Sequence, residues 1–292
     1  MKNYVTANEY FKTQFGAKVY KIALDGGMNC PNRTPDKKGG CIFCSSGGSG
    51  DFAEKQCGNV TTQINNAIKR VESKKPQKFI AYFQSYTNTF APLSYLRQIF
   101  FETVKDERVC AISIATRPDC LGEGVLALLL ELSKIKPVFV ELGLQTASNE
   151  TARLINRGYD TSVYLDAVKN LKAIGINVIT HVIIGLPNET EDDLLATIRT
   201  VNESGSDGIK LQLLHVLKDT RLACMYENGE YTPLEMDEYI RLLMLCLQNL
   251  REGMVVHRIT GDAPKRILLA PLWSADKKRV LNSINKELAK LQ

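Results

Sequence analysis

Six short apolar runs recur along this chain with room for one helix between each pair, and no other feature limits the fold so strongly. They lie at 18–24 (KVYKIAL), 78–84 (KFIAYFQ), 109–116 (VCAISIAT), 137–145 (PVFVELGLQ), 176–185 (INVITHVIIG) and 208–217 (GIKLQLLHVL). Continuous apolar centres of this kind mark strands buried on both faces, as in parallel sheets. The segments 60–74, 93–106, 122–135, 161–175 and 190–205 between them carry helical periodicity. The last two are predicted to open on Thr161 and Thr190 as N-caps and to close on Gly175 and Gly205. Strands and helices in strict alternation predict an α/β chain, here a partial (β/α)6 barrel of TIM type. Residues 1–217 are expected to form that core, with a loop over 25–50. Residues 218–292 form a C-terminal α/β extension, with a helix at about 234–252, a short strand MVVHRIT and a last helix at about 275–291.

No run of about 18 apolar residues exists, and the opening MKNYVTANEYFKTQFG lacks the apolar stretch of an export signal. A cytoplasmic, membrane-free protein is therefore expected. The chain has 292 residues, 44% hydrophobic and 24% charged, enough for a full core. Its eight cysteines, in that compartment, read as reduced thiols, so clustered ones are ligands or catalysts rather than staples.

Three of them stand in CPNRTPDKKGGCIFC, as Cys30, Cys41 and Cys44, directly after the first strand. Active sites of parallel barrels sit on the loops at the carboxyl ends of the strands, which places these thiols at the mouth. A structural zinc site needs a fourth ligand, and the nearest spare thiol is Cys57. A three-thiolate site with an open position suits a [4Fe–4S] cluster. The spacing by itself leaves zinc and cluster both open.

The motif resembles that of the radical S-adenosylmethionine (SAM) enzymes, in which three cysteines hold a [4Fe–4S] cluster whose fourth iron chelates SAM. The first gap here is longer than usual and resembles that of the Elongator catalytic subunit, while the aromatic residue before the last cysteine of GCIFC is similar to the superfamily's usual pattern. VELGLQTASNETARLINRGYD (140–160) is similar to the fourth-strand motif of the branch containing coproporphyrinogen dehydrogenase, methylthiotransferases and Elongator. The resemblance implies SAM contacts from Gln145 and Arg157. THVIIGLPNETEDDL (180–194) resembles the next motif, implying that His181 faces the ribose and that Gly185, Leu186 and Pro187 approach the adenine. The second strand ends without Gly-Gly-Glu, so Ser85, Tyr86, Thr87 and Asn88 are expected to hold the SAM amino group. Likeness to the Elongator sixth strand puts Lys210 and His215 in the pocket as catalytic residues, and VVHRITGDAP (255–264) puts Arg258 and Asp262 near its mouth. The implied chemistry is reductive cleavage of SAM to a 5′-deoxyadenosyl radical that takes a hydrogen atom from an unactivated carbon.

YFKTQFGAKVYKIALDGGMNCPNRTPDKKGGCIFC (10–44) and HRITGDAPKRILLAPLWSADKKRVLNSI (257–284) resemble signatures of the YhcC/YtqA-like (MnmL) group. That resemblance implies a tRNA substrate and conversion of 5-carboxymethylaminomethyl(-2-thio)uridine at wobble position 34 to the 5-aminomethyl form. Acetyl transfer and methylthiolation are not expected, because no acetyltransferase-like segment follows and only 29 residues precede Cys30. Implied partners are an electron donor such as flavodoxin or ferredoxin and a downstream tRNA methyltransferase. Charge agrees: residues 251–292 carry nine Lys/Arg against four Asp/Glu, and residues 1–50 seven against three. Phosphate contacts are expected from Arg258, Lys265, Arg266, Lys277, Lys278 and Arg279, base stacking from Trp273, and RNA contacts at the mouth from Arg33, Lys37 and Lys38. Two other readings stand beside this one: a radical SAM enzyme for a small molecule such as a porphyrinogen, and a zinc-stabilised RNA-binding module without enzymatic activity.

Overall fold

A computed structural model describes residues 3–290. The chain opens with β1 (Tyr4–Thr6), α1 (Ala7–Phe15) and β2 (Val19–Leu24), then passes through the cysteine loop to α2 (Val60–Val71). β3 (Lys78–Phe83), α3 (Leu93–Lys105), β4 (Val109–Thr116), α4 (Glu123–Ser133) and β5 (Val138–Gln145) follow. Next come α5 (Asn149–Leu154), α6 (Thr161–Ala173), β6 (Asn177–Ile184), α7 (Glu191–Ser204) and β7 (Gly208–Leu213). The last quarter holds β8 (Val216–Leu217), α8 (Arg221–Glu227), α9 (Met236–Gln248), β9 (Met254–Arg258), β10 (Leu268–Ala270) and α10 (Lys277–Lys290). Among these helices none is long and apolar enough to cross a membrane.

The six apolar runs form six parallel strands in sequence order, β2 to β7, as the alternation predicts. The sheet is nonetheless wider. β9 pairs in parallel with β7, and β1 with β9, giving eight strands in the order β1-β9-β7-β6-β5-β4-β3-β2. The extension therefore supplies a strand to the barrel wall. The last run breaks after Leu213, and β8 leaves the wall to pair antiparallel with β10. Helix ends also shift. The N-cap of α6 is Asp160, while the Thr161 hydroxyl donates to the Ala147 carbonyl instead, and Gly175 (φ 75°) follows the cap residue Ile174. Thr190 caps α7 with a reciprocal Asp193 bond, and Gly205 closes it, as expected. The last predicted helix is α10, and position 291 of that prediction lies outside the described residues.

Strand alternation sorts side chains to two faces. Outward residues such as Ile22, Phe83, Ile112, Val140 and Leu211 join the large core beneath the helices. Inward residues build three layers. The lowest is apolar: Ile80, Ala111, Phe139 and Ile179, sealed by Phe11 of α1, whose ring meets Phe139 edge-on at 5.8 Å. Burying that one phenylalanine contributes about 1.5–3 kcal/mol. α1 is held in place at its start by a capping box between Thr6 and Glu9. The second layer is polar, with Lys21, Tyr82, Ser113, Glu141, His181, Lys210 and His257. The third, at the strand ends, includes Gln84, Ala115, Gly143, Gln145, Ile183 and Gln212 around open space.

Candidate active site

That space is a cavity of about 720 Å³, lined by all three motif cysteines and by Lys21, Glu141, His181, Lys210 and His215. Cys30, Cys41 and Cys44 are free thiols. The loop that bears them is tied down from several sides. The Ile42 N–H donates to the Ile155 carbonyl (3.0 Å), and the Leu222 N–H donates to the Ile42 carbonyl (2.9 Å). Asn156 Nδ2 reaches the Gly40 carbonyl at 2.8 Å. Arg33 donates to the carbonyls of Lys37 (2.7 Å), Cys44 (3.0 Å) and Ser45 (2.7 Å), so this residue folds the loop rather than facing RNA. Lys37 lies over the Tyr86 ring at 4.4 Å, and Lys38 is exposed beside Asp36.

The thiols fit an iron–sulfur cluster. Burial pushes Cys41 up to about 12, with the charges of Cys44 and Cys30 adding to it and Arg117 opposing. Thiols crowded this way reach the thiolate form by binding metal. Among the described residues no three His, Cys, Asp or Glu side chains converge on one point as a single ion requires. Three thiols of one loop on one cavity wall supply the three ligands of a [4Fe–4S] cluster with an open iron, whereas structural zinc takes four.

In the polar layer beneath, sequence reasoning named His181 and Lys210 and missed Lys21, Tyr82, Ser113, Glu141 and His257. Glu141, 1% exposed, accepts from Lys21 (2.6 Å) and Ser113 (2.7 Å) on one oxygen. Its other oxygen accepts from His181 Nε2 (2.7 Å) and from Lys210. Burial raises the carboxyl and these cations more than offset it, so Glu141 is held well below the usual carboxylate range. Burial lowers His181 to about 4 and Lys210 to about 7. Lys210 also donates to the Tyr82 hydroxyl at 3.1 Å. A signal existed: Lys21, Glu141 and Lys210 are charges at the centres of apolar strands, where an unpaired charge does not survive.

His215 is buried on the cavity wall, hydrogen-bonded to the Leu213 backbone and lowered by burial to about 4. Its Nε2 has no partner, which leaves a neutral ring with a free acceptor. Gly261 makes room for it, since a Cβ there would lie 2.5 Å from His215 Cε1. Gln145 sits at φ 62° where β5 bulges against β6, with its amide over Gly143 and lining the cavity.

Other expected contacts lie elsewhere. Arg157 is 1% exposed and off the cavity wall. Its N–H groups are spent on the carbonyls of Leu144 and Thr146 (both 2.6 Å) and Tyr159 (3.0 Å), and on the Thr161 hydroxyl (3.2 Å). Arg117, which packs on the same tyrosine, does line the cavity, as do Arg33, Arg70 and Arg258, and it pairs with Asp119 at 2.7 Å. Tyr159 lies between the two, 4.7 Å from Arg117 and 4.6 Å from Arg157. Tyr86 and Thr87 line the cavity; Ser85 and Asn88 are buried behind it. Gly185, Leu186 and Pro187 line a separate depression of about 350 Å³. The side chain that closes on Gly185 (φ 89°) is Leu234, 2.8 Å from where a Cβ would be.

The basic rim is partly spent as well. Asp262 is shared by Arg258 (3.2 Å) and Lys277 (2.7 Å), which ties α10 to the cavity lip. Arg266 lies 3.8 Å from Asp51 of the cysteine loop, while Lys265, Lys278 and Arg279 are exposed. Trp273 donates to the Leu234 carbonyl (3.0 Å) and packs on Tyr239, half-buried against the core, so its N–H and one face are spent on packing.

Comparison with known proteins agrees with this geometry. Residues 29–201 match the family model of the radical SAM superfamily, and residues 206–290 that of the Radical_SAM C-terminal domain. The uncharacterized protein YtqA of Bacillus subtilis is 45% identical over 289 residues, 98% of this chain and 90% of that one. A tRNA uridine(34) acetyltransferase of Methanocaldococcus jannaschii is 28% identical over 167 residues, 56% of this chain and 30% of its own length. The solved structure of Methanocaldococcus infernus Elp3 with an N-terminal deletion superposes with a TM-score of 0.71 at 19% identity, covering 93% of this chain and 63% of that one, which establishes the shared fold. The chain belongs to the radical SAM superfamily, in its YhcC/YtqA-like group, and uses a [4Fe–4S] cluster and SAM.

Proposed function

We propose that this radical SAM enzyme modifies tRNA, converting the 5-carboxymethylaminomethyl group of the wobble uridine to 5-aminomethyl. The observation that carries this reading is that the three cysteines and an ion-paired inner layer open on one cavity with a cationic lip. Likeness to a relative named for its action on tRNA uridine 34 supports the same substrate class.

Cys30, Cys41 and Cys44 would hold the cluster; Gln145, Tyr86, Thr87 and Arg117, all on the cavity wall, would hold SAM. When bound, these groups supply a radical able to take a hydrogen atom from an unactivated carbon. The chain's own work is to orient and to exclude water. In the substrate, the methylene between nitrogen and carboxylate loses a hydrogen atom and then an electron to a one-electron acceptor. Water hydrolyses the resulting imine to the primary amine and glyoxylate. His215, with its free Nε2, is suited to take a proton from that water. Lys210, tied to Glu141 and Tyr82, would set the charge at the floor of the pocket. A flavodoxin- or ferredoxin-class donor and a methyltransferase for the amine complete the reaction sequence.

Reconstituted enzyme incubated with SAM, reductant and tRNA bearing the carboxymethylaminomethyl group should yield the aminomethyl nucleoside by mass spectrometry. An unchanged nucleoside alongside active SAM cleavage rejects the reading.

A further inference from the structure

In the inner layer two lysines meet a single carboxylate. Lys21 and Lys210 both face Glu141, and the neighbouring acid Asp262 is already held by Arg258 and Lys277. His181 and His257 add no charge, because burial pushes both well down. Two lysines thus share one carboxylate above an apolar floor, and burial there already lowers Lys210 to about 7. Lys210, its side chain 7% exposed, spends two of its three donors on Glu141 and Tyr82. Lys21 is more open. It makes one hydrogen bond, to Glu141, lies 5.1 Å from the Tyr82 ring, keeps 21% of its side chain exposed and lines the cavity. An ammonium has three donors, so two remain for a ligand. Nearby, the buried His257 Nδ1 also has no partner.

We infer that this layer receives one carboxylate at the end of the substrate's side chain, and that Lys21 is the residue that binds it. The inference rests on the reading that a carboxymethylaminomethyl group enters the cavity. It explains how substrate and product are told apart: the aminomethyl product is a cation with no carboxylate, and the positive charge of Lys21 repels it.

The test uses the cluster-reconstituted, SAM-bound enzyme and two probes. In the first, N-methylglycine labelled with carbon-13 at the carboxyl is titrated and followed by NMR. A saturable shift is expected in the native enzyme and in Lys21→Arg, with binding at least about tenfold weaker in Lys21→Met. Lys21→Met leaves Glu141 and Lys210 matched one to one, so its unfolding midpoint should equal or exceed that of the native protein; a lysine retained for structure would lower it. The second probe is tRNA carrying either the carboxymethylaminomethyl or the aminomethyl group. The native enzyme should prefer the former by about tenfold, and Lys21→Met should lose the preference. An active enzyme whose preference survives Lys21→Met overturns the inference and leaves the function standing. A carboxylate probe bound through Lys21 in an enzyme inert on this tRNA does the reverse.

Discussion

The ammonium of Lys21 on β2 lies 2.6 Å from the carboxylate of Glu141 on β5, two residues 120 positions apart in the chain that meet at the centre of the barrel. Around this pair the whole inner layer is organised. Lys210, His181 and Ser113 complete the shell of Glu141, and each comes from a different strand.

Glu141→Gln should be among the most damaging substitutions in the chain. It removes the carboxylate shared by the buried Lys210 and the partly exposed Lys21 while keeping the shape, so a loss of about 3–5 kcal/mol is expected. Urea unfolding of the cluster-free protein measures it directly. A loss below about 1 kcal/mol would show that water already solvates the layer.

Replacing Cys30, Cys41 or Cys44 by Ala should abolish both the visible absorption of the cluster and SAM cleavage. Cys224→Ser, at an exposed thiol away from the cavity, should change neither. Iron content per chain and 5′-deoxyadenosine yield are the readouts. A variant lacking one motif cysteine that still carries a full cluster would reassign that ligand.

The two guanidinium groups beside Tyr159 should behave differently. Arg157→Met removes charge-assisted hydrogen bonds to three carbonyl oxygens, two of them buried, and should cost about 2–3 kcal/mol of stability. Arg117→Met should leave stability closer to native and weaken SAM binding by roughly tenfold, as loss of one charge-assisted contact does. Equal effects on SAM affinity would mean that Arg157 turns toward the cavity when SAM binds.

Acid should destabilise the fold through all three of its histidines. His181 and His215 are lowered to about 4 by burial, and His257 lies well below its ordinary value for the same reason. Their folded pKa values lie below the unfolded one near 6.5, so the unfolded chain takes up protons first as pH falls. Stability is full above about 6.5 and drains away toward 4, by about 2 kcal/mol per histidine at pH 5. Urea midpoints at pH 7.5 and 5.5, read on the single tryptophan Trp273, check the sign.

Of the basic residues expected to meet phosphate, Lys265, Lys278 and Arg279 are exposed and carry no ion pair among the described residues. Changing all three to Glu should weaken tRNA binding and flatten its dependence on salt by about one unit of slope per lost contact. Binding that keeps its salt slope would move the RNA to another face.

Much of this could be read from residue order alone. Buried parallel strands need unbroken apolar runs and helices need their own period, so β2 to β7 and the helices between them were legible. The cysteine loop was legible too, because ligand chemistry is written in residue type and spacing. What depended on the tertiary structure was pairing across the chain. β9 is a short run, and only hydrogen bonding to β7 makes it barrel wall. Arg157 and Trp273 carry types that suit ligands, yet their donors are taken by nearby carbonyls that no spacing rule reveals. Lys21, Glu141 and Lys210 each stand in the sequence as one charge in an apolar strand. Their meaning lies in a separation of a few ångströms, which the closing of the sheet alone sets, because electrostatic energy depends on distance in space and not along the chain.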